Sequence, residues 1–382
     1  MMKKVFYISV GLLILTLIFI GAYNFAFKHN VNDPVADKEK KEVAVKEEGV
    51  TEIAPVLTAI ESPINEQLQS VALGGGGTVY YYSLDEQALK KASFEGKDKV
   101  TLLSDLPGTP SRILWSPQKD QAFLLLQVSG GKTLWHLADL STKTLAPLKP
   151  EISRLTWNNL GDKVFYQYTD PKTGLRTLNV SNPNGTGWKK LADLGNQDFF
   201  LAPIPQSTAI SFWTRPNALE KTTFESVSLS GENRRVLLSE KYGADYLWSP
   251  SGERVLVSAN KEMGGSSVLL NLMNQNGGEF QTLSIPTFIS KAVWSKDGQT
   301  IYYALPGALP ESAVLPNDYF DKPLYTKDTF WKMDILTGKK SRLVDLTEVT
   351  QSFDSIDLFL SSFEDILFFT DRATKRLYRI DL

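Results

Sequence analysis

The 382-residue chain contains no cysteine and only 2 histidines. Without thiols it can form no disulfide, thiolate metal site or cysteine nucleophile, so its stability must come from a packed core. His29 and His136 lie far apart in the sequence, which leaves no local histidine cluster for a metal. The 41 Lys and Arg residues balance 43 Asp and Glu, so the basic surplus typical of nucleic-acid binding is missing. We therefore expect no metal, no cofactor and no nucleic-acid partner.

The first 27 residues predict a membrane anchor. Residues 5–27 form an uncharged stretch of 23 residues, rich in Leu, Ile and Phe. As a helix this stretch would span roughly 34 Å, enough to cross a hydrocarbon core of about 30 Å. A cleaved signal peptide is the alternative, but its apolar region is usually only about 7 to 15 residues long. Lys3 and Lys4 predict a cytoplasmic N-terminus, so the rest of this single-pass protein would lie outside the cytoplasm.

Residues 28–49 predict a solvated tether. They are highly charged and contain no Phe, Trp or Tyr. Such a segment buries too little apolar surface to offset the entropy of ordering it. A short helix that pairs Glu42 with Lys46 is the alternative. If the segment is flexible, its reach is about 26 Å, which would keep the remaining domain near the membrane.

The rest of the chain contains an internal repeat. Four segments each read as a strand ending in Trp, a polar turn and a second apolar strand: Leu114–Phe123, Thr156–Phe165, Leu247–Leu256 and Val293–Tyr302. Trp115 and Trp157 are 42 residues apart, and Trp248 and Trp294 are 46 apart. The interval of 91 residues between Trp157 and Trp248 fits two units, one of which lacks its tryptophan. We expect these tryptophans to pack in the core and not to form a ligand platform.

The repeat length predicts the fold. Each unit contains a second pair of apolar segments, and four strands in 42 to 46 residues are typical of a β-propeller blade. We predict an all-β, seven-bladed β-propeller with blades at 66–104, 110–149, 151–194, 197–239, 242–285, 288–346 and 350–382. Six blades are the alternative, because the first unit has Gly74–Gly77 in place of the usual turn.

The last unit has only three predicted strands. The segment Glu52–Thr58, which precedes the first unit, has the pattern of a strand. We therefore expect residues 50–60 to supply the missing outer strand and to close the propeller. The propeller domain would then extend over residues 50–382.

The repeat motif resembles that of TolB-type periplasmic propellers, also called the WD-like repeat. The residues that carry the resemblance are Trp248-Ser-Pro-Ser-Gly252 and Trp294-Ser-Lys-Asp-Gly298. The resemblance implies a propeller blade and no particular chemistry, because the motif specifies a turn and a core anchor. TolB itself has six blades and a separate N-terminal α/β domain, so the outer-membrane partner of TolB does not transfer to this chain.

One insertion interrupts the repeat. In the sixth unit about 24 residues, Leu305–Asp328, separate the second and third strands. Loops of this length are commonly functional or disordered, and in a propeller they emerge on the face that usually binds partners. We predict partner-binding residues in this insertion: Asp318, Tyr319, Phe320, Asp321 and Tyr325. The alternative is that Tyr319 and Phe320 only pin the loop to the blades.

These features favour a non-enzymatic, membrane-anchored scaffold of the cell envelope that binds a protein, a peptide or a glycan. The alternative is a carboxylate-based enzyme, a lyase or glycosidase, with its site at the propeller channel. Acidic pairs such as Asp354 with Asp357 are expected to be solvated surface residues, and His136 is expected to be structural. We predict no catalytic residues.

Overall fold

The computed structural model describes residues 60–128, 130–307, 309–349 and 351–382. These residues form 26 strands and three short helical segments, so the described part is all-β. No helix within these ranges is long and apolar enough to span a membrane. The predicted anchor (1–27), the predicted tether (28–49) and residues 50–59 of the predicted closing strand lie outside the described residues.

The strands form six antiparallel sheets in chain order. The first contains β1 (Leu68–Leu73), β2 (Thr78–Ser83), β3 (Ala88–Ser93) and β4 (Val100–Leu103). The second contains β5 (Pro110–Trp115), β6 (Gln121–Gln127), β7 (Thr133–Asp139) and β8 (Thr144–Pro147). The third contains β9 (Ile152–Trp157), β10 (Val164–Thr169), β11 (Arg176–Ser181) and β12 (Lys189–Gly195).

The fourth sheet is larger and contains β13 (Phe199–Pro203), β14 (Ile210–Thr214), β15 (Lys221–Val227), β16 (Arg235–Trp248), β17 (Arg254–Asn260), β18 (Val268–Asn274) and β19 (Gln281–Thr282). The fifth contains β20 (Ala292–Trp294), β21 (Thr300–Gly307), β22 (Lys327–Asp334) and β23 (Lys340–Arg342). The sixth contains β24 (Ser355–Leu360), β25 (Ile366–Asp371) and β26 (Arg376–Asp381). Two 3₁₀ helices, Ile289–Lys291 and Leu346–Glu348, and the short helix α1 (Asn317–Asp321) lie between strands.

The seven-stranded sheet joins two of the predicted units through β16. The first half of this 14-residue strand pairs with β15, and its second half pairs with β17. The register shifts between Tyr242 and Asp245, where the strand passes from one partner to the other. One strand therefore ends the fourth predicted unit and begins the fifth.

The repeated tryptophans connect neighbouring units, as the sequence predicts. Trp157, Trp248 and Trp294 are buried. The indole N–H of Trp157 donates to the carbonyl oxygen of Leu114 at 2.8 Å, and that of Trp115 donates to Ser70 at 2.7 Å. Each bond spans about one repeat, so the ring packs in the core while its polar edge binds the preceding unit. The prediction that these tryptophans are core residues is confirmed.

The turn after each tryptophan explains the glycine of the motif. Gly252 has a φ of +73°, a conformation that is unfavourable for residues with a side chain. A Cβ atom at Gly252 would also lie 2.4 Å from the carbonyl oxygen of Pro205 in the preceding unit. The Gly252 N–H donates to the Ser249 carbonyl at 2.9 Å and so closes the turn. Glycine is required here by both backbone conformation and space.

The chain before the first sheet pairs with the last sheet. Glu61 and Arg379 of β26 form an antiparallel bridge whose two N–H···O distances are 3.1 and 2.8 Å. Ile60 packs against the core formed by the fifth and sixth sheets. These contacts support closure of the propeller by the N-terminal segment, while the predicted strand Glu52–Thr58 itself lies outside the described residues.

The antiparallel order of strands creates two faces. Connections from the second to the third strand of a unit, and connections between units, lie on one face, which we call the loop face. Turns between first and second strands, and between third and fourth strands, lie on the opposite turn face. The insertion lies on the loop face and is shorter than predicted, because β21 and β22 stay paired as far as Gly307 and Lys327.

Candidate partner-binding site

The insertion is fixed along the loop face by the loops of three other units. The side chain of Asn317 in α1 bonds to the side chain of Asn217 at 2.9 Å and accepts from the Ala218 N–H at 2.7 Å. The Leu315 N–H donates to the Gly265 carbonyl at 3.1 Å. These partners follow β14 and β17, and a third contact, from Arg372, comes from the loop after β25. The insertion is therefore an ordered part of this face.

Tyr319 is the buried anchor of the insertion, with 1% of its surface exposed. Its ring stacks on Phe288 with a centroid distance of 4.4 Å. Its hydroxyl donates to Asp354 Oδ1 at 2.6 Å, and burial together with the Asp354 charge raises the pKa of Tyr319. Of the five predicted partner-binding residues, this one thus serves to position the loop.

A buried charge network lies beneath Tyr319. Lys291 Nζ donates to Asp328 Oδ2 at 2.6 Å and to Asp354 Oδ1 at 2.8 Å, and all three side chains are at most 1% exposed. Arg372 Nε donates to Asp354 Oδ2 at 2.7 Å. Two cations thus face two carboxylates, which is how buried charge is tolerated in a protein.

The pKa values of the two carboxyl groups in the network are shifted in opposite directions. Burial raises the pKa of Asp328 above its usual range, and Lys291 offsets this only in part. Burial acts in the same direction on Asp354, but Lys291, Tyr319 and Arg372 together hold its pKa below the usual value. The expectation that Asp354 is a solvated surface residue is therefore wrong. Its position at the start of the last sheet places it among four cationic or hydroxyl donors: Lys291, Tyr319, Thr326 and Arg372.

The other four predicted residues differ in exposure. Phe320 and Tyr325 are 42% and 51% exposed. Asp321 is exposed and forms an ion pair with Arg215. Asp318 is mostly covered, because its carboxylate accepts from the Val314 N–H at 3.0 Å and pairs with Lys322 at 2.8 Å. The structure thus presents Phe320, Asp321 and Tyr325 at the surface, and Asp318 stabilises the turn that leads into α1.

Two exposed residues on adjacent loops are not among the residues predicted from the sequence. Leu219 and Met263 are 57% and 62% exposed, and their loops are joined by a hydrogen bond from the Gly264 N–H to the Ala218 carbonyl at 2.8 Å. With Phe320 and Tyr325 they form a set that we call the apolar platform. Single apolar residues inside polar loops were the only sequence signal for Leu219 and Met263.

The first strands of neighbouring units lie beside one another. Charged side chains also lie near the points where these strands begin. Arg154 donates to Asp198 Oδ2 at 2.8 and 3.1 Å. Asp245 Oδ1 accepts from Trp213 Nε1 at 2.9 Å and from the Tyr246 N–H at 3.0 Å. Burial raises the pKa of Asp245 to about 6, so this carboxyl can exchange a proton near neutrality. The described residues contain no group of three His, Cys, Asp or Glu side chains placed to hold a metal ion.

Solved structures share this architecture, although no family model and no curated protein matches the chain. An oligogalacturonate lyase in complex with manganese matches with a TM-score of 0.59 at 13% identity, over 87% of this chain and 98% of that one. The β-propeller domain of Cps50 (Swd1) from Myceliophteria thermophila matches with a TM-score of 0.54 at 8% identity, over 85% and 99% of the two chains. The fold is a β-propeller.

A third match is a prolyl endopeptidase, with a TM-score of 0.56 at 13% identity over 84% of this chain and 48% of that one. At these identities the likeness concerns the fold alone. Propellers occur both in named enzymes and in other proteins, so the fold does not decide between a scaffold and an enzyme. The propeller prediction is confirmed, and the TolB-type family stays a prediction.

Proposed function

We propose that this protein is a membrane-anchored, extracytoplasmic β-propeller that binds a protein or peptide partner on its loop face. The apolar platform is the observation that carries the proposal. Phe320 and Tyr325 are large, partly exposed aromatic residues on a long insertion, and residues of this type dominate the binding energy of many interfaces. Residues 1–27 would hold the propeller at the outer surface of the membrane.

The buried network gives the platform its rigidity. Arg372 donates to the Tyr319 carbonyl at 2.7 Å, and its guanidinium lies 5.1 Å from the centre of the Tyr325 ring. The Tyr319 ring holds the middle of α1 against Phe288. Because the loop is ordered before binding, a partner would not have to offset its conformational entropy. This favours a binding role over a loop that only connects two strands.

The same proposal includes seven blades. The register shift in β16 at Tyr242 separates an outer strand from an inner strand, so the seven-stranded sheet corresponds to two blades. The bridge between Glu61 and Arg379 supports an outer strand for the last blade from residues 50–60.

The platform can be tested with a matched pair of double variants. Phe320→Ala with Tyr325→Ala should reduce partner capture in cross-linked intact cells by about tenfold, without lowering the melting temperature. Leu336→Ala with Phe363→Ala removes two residues that are 88% and 90% exposed on the turn face, and it should leave capture unchanged. Undiminished capture by the first variant would overturn the proposal.

A second candidate function is a carboxylate-based enzyme at the channel. The observation that favours it is the pKa of Asp245, about 6, in a site where a general acid or base could act. A lyase or glycosidase activity that disappears in Asp245→Asn, while partner capture persists, would favour this candidate over the scaffold.

A further inference from the structure

A concave site lies between the second and third sheets, away from the apolar platform. It is a cavity of about 710 Å³, within the range of about 300 to 1,000 Å³ typical of ligand sites. Its floor is aliphatic and is formed by side chains from both sheets: Leu137, Leu148, Ile152, Leu155 and Val164. We call this site the interblade cavity.

One side-chain acceptor in the interblade cavity lacks a donor among the described residues. Asn179 is 3% exposed, and its Nδ2 donates to the carbonyl and hydroxyl oxygens of Thr177 at 3.1 and 2.9 Å. Among the described residues nothing donates to Asn179 Oδ1, which belongs to a residue that lines the cavity. This oxygen is not closed off by protein atoms, so it is open to a ligand that carries an N–H or O–H.

Asn271 is the equivalent asparagine of another unit, and its contacts show which donor Asn179 Oδ1 lacks. Asn271 in β18 pairs with Thr282 of the outer strand, whose hydroxyl donates to Asn271 Oδ1 at 2.8 Å. Asn179 in β11 instead pairs with Lys190, and the Lys190 ammonium binds Asp193 at 3.0 Å. The same residue at the same strand position is therefore satisfied within one unit and open to the cavity in the other.

The mouth of the interblade cavity adds aromatic and charged groups. Trp188 is 67% exposed at the rim, and Tyr166 and Tyr168 line the wall. Lys149 also lines the cavity, and its ammonium has no hydrogen bond or ion pair among the described residues. Asp170 also lines the cavity, but its carboxylate already accepts from the Lys172 and Thr173 N–H groups at 2.8 and 2.9 Å. The aromatic wall and the unpaired Lys149 therefore favour a ligand that has a flat apolar body and a negative charge.

We propose that the interblade cavity binds a tyrosine or tryptophan side chain of a partner peptide, with an acidic residue next to it. The O–H or N–H of that side chain would donate to Asn179 Oδ1, the ring would pack among Tyr166, Tyr168 and the aliphatic floor, and the neighbouring carboxylate would pair with Lys149. An acyl chain would leave Asn179 unpaired, and a sugar would place its hydroxyls against the aliphatic floor. The peptide therefore matches the polar and the apolar parts of the site together.

Peptide pools test this with the full-length protein immobilised. One pool of octapeptides contains a fixed Asp-Tyr pair with all other positions random, and two control pools contain Asp-Phe or Lys-Tyr. The protein should retain the Asp-Tyr pool about fivefold better than either control, because one hydrogen bond or one ion pair is lost in each. Equal retention of the Asp-Tyr and Asp-Phe pools would overturn the inference.

Matched variants identify the site. Asn179→Leu should abolish the preference for tyrosine over phenylalanine, whereas Asn271→Leu, the same change at the equivalent position, should preserve it. Lys149→Glu, which changes an exposed side chain and leaves the core intact, should shift retention towards the Lys-Tyr pool, and Lys143→Glu on an exposed turn nearby should not. A preference that survives both Asn179→Leu and Lys149→Glu would refute the assignment.

The inference rests on the proposed function only in that the partner is a polypeptide. The Phe320→Ala and Tyr325→Ala double variant should retain the Asp-Tyr pool as the wild type does. If it loses the pool, the peptide binds the apolar platform and the interblade assignment is wrong. If the pool is retained normally while partner capture in cells does not depend on the platform, only the proposed function fails.

Discussion

At the scale of single residues, Asp245 is the clearest departure from ordinary chemistry. It accepts two hydrogen bonds but forms no ion pair among the described residues, and burial raises its pKa to about 6. The ordinary value is 3.8, so the folded protein binds this proton more tightly than the unfolded chain does. Asp245 therefore contributes to a fall in the free energy of unfolding as the pH rises from about 4 to about 6.

Asp245→Asn should remove that fall. The amide oxygen can still accept from Trp213 and Tyr246, while the partly buried charge is gone. At pH 7 we expect the variant to be more stable, by up to about 3 kcal/mol, since each pKa unit corresponds to about 1.4 kcal/mol. Urea denaturation of both proteins at pH 4.5 and pH 7 measures the change.

Asp297 provides a control for that experiment, because its pKa is shifted in the opposite direction. Hydrogen bonds from Ser295 and Gln299 lower its pKa, so its contribution to stability is present above its ordinary pKa and is lost as the pH falls further. Asp297→Asn should therefore lower stability at pH 7. An identical pH dependence in Asp245→Asn and the wild type would refute the role of Asp245.

Single residues also show the limit of sequence reasoning. The tryptophans could be assigned to the core because they recur with the repeat. Lys291, Asp328 and Asp354 follow no repeat, and the partners of Lys291 lie 37 and 63 residues away. Only the packing of two adjacent sheets brings them together, so their burial was not predictable from local pattern.

At the scale of elements, the insertion between β21 and β22 depends on Arg372. Its guanidinium donates to the carbonyl oxygens of Tyr319 and Leu324, which lie on either side of the exposed Lys322. One side chain from the last sheet thus ties both ends of this segment to the propeller.

Arg372→Met should release the segment around Lys322. We expect chymotrypsin to cleave after Phe320, which lies in this segment and is 42% exposed, several times faster than in the wild type, because protease access requires local unfolding. Arg376→Met removes an exposed arginine that makes no side-chain hydrogen bond among the described residues, and it should leave the rate unchanged. Mass spectrometry of the early fragments measures cleavage at this site, and equal rates in all three proteins would contradict the proposed role.

The elements were largely predictable, with informative exceptions. The repeat pattern predicts the first units, the position of the insertion and the two units that share β16. The turn from Ser361 to Asp365 in the last sheet escaped recognition because Leu360 takes the place of tryptophan. The sequence also did not predict that Asn179 Oδ1 lacks a donor, because this depends on which residue of the outer strand pairs with Asn179.

At the scale of the whole molecule, we expect closure of the propeller by the N-terminal segment to contribute to stability beyond the blades themselves. Glu61 already pairs with β26, and an unpaired outer edge would expose backbone groups of that strand. We therefore expect the segment before Glu61 to continue this pairing.

Two truncations test closure. A chain that starts at residue 46 should melt at the same temperature as one that starts at residue 28, because the composition of residues 28–49 predicts a solvated tether. A chain that starts at residue 62 should melt several degrees lower, since it would lose the predicted closing strand and the Glu61 bridge to β26. Equal melting temperatures for all three chains would show that residues 50–60 do not close the propeller.

The most direct test of partner binding at the loop face is site-specific photo-crosslinking in intact cells. A photoreactive amino acid at Tyr325 would report on the apolar platform, and the same amino acid at Phe363 would report on the turn face, where that residue is 90% exposed. We expect one discrete crosslinked protein from position 325 and none from position 363. The same crosslinks from both positions, or none from position 325, would contradict this expectation.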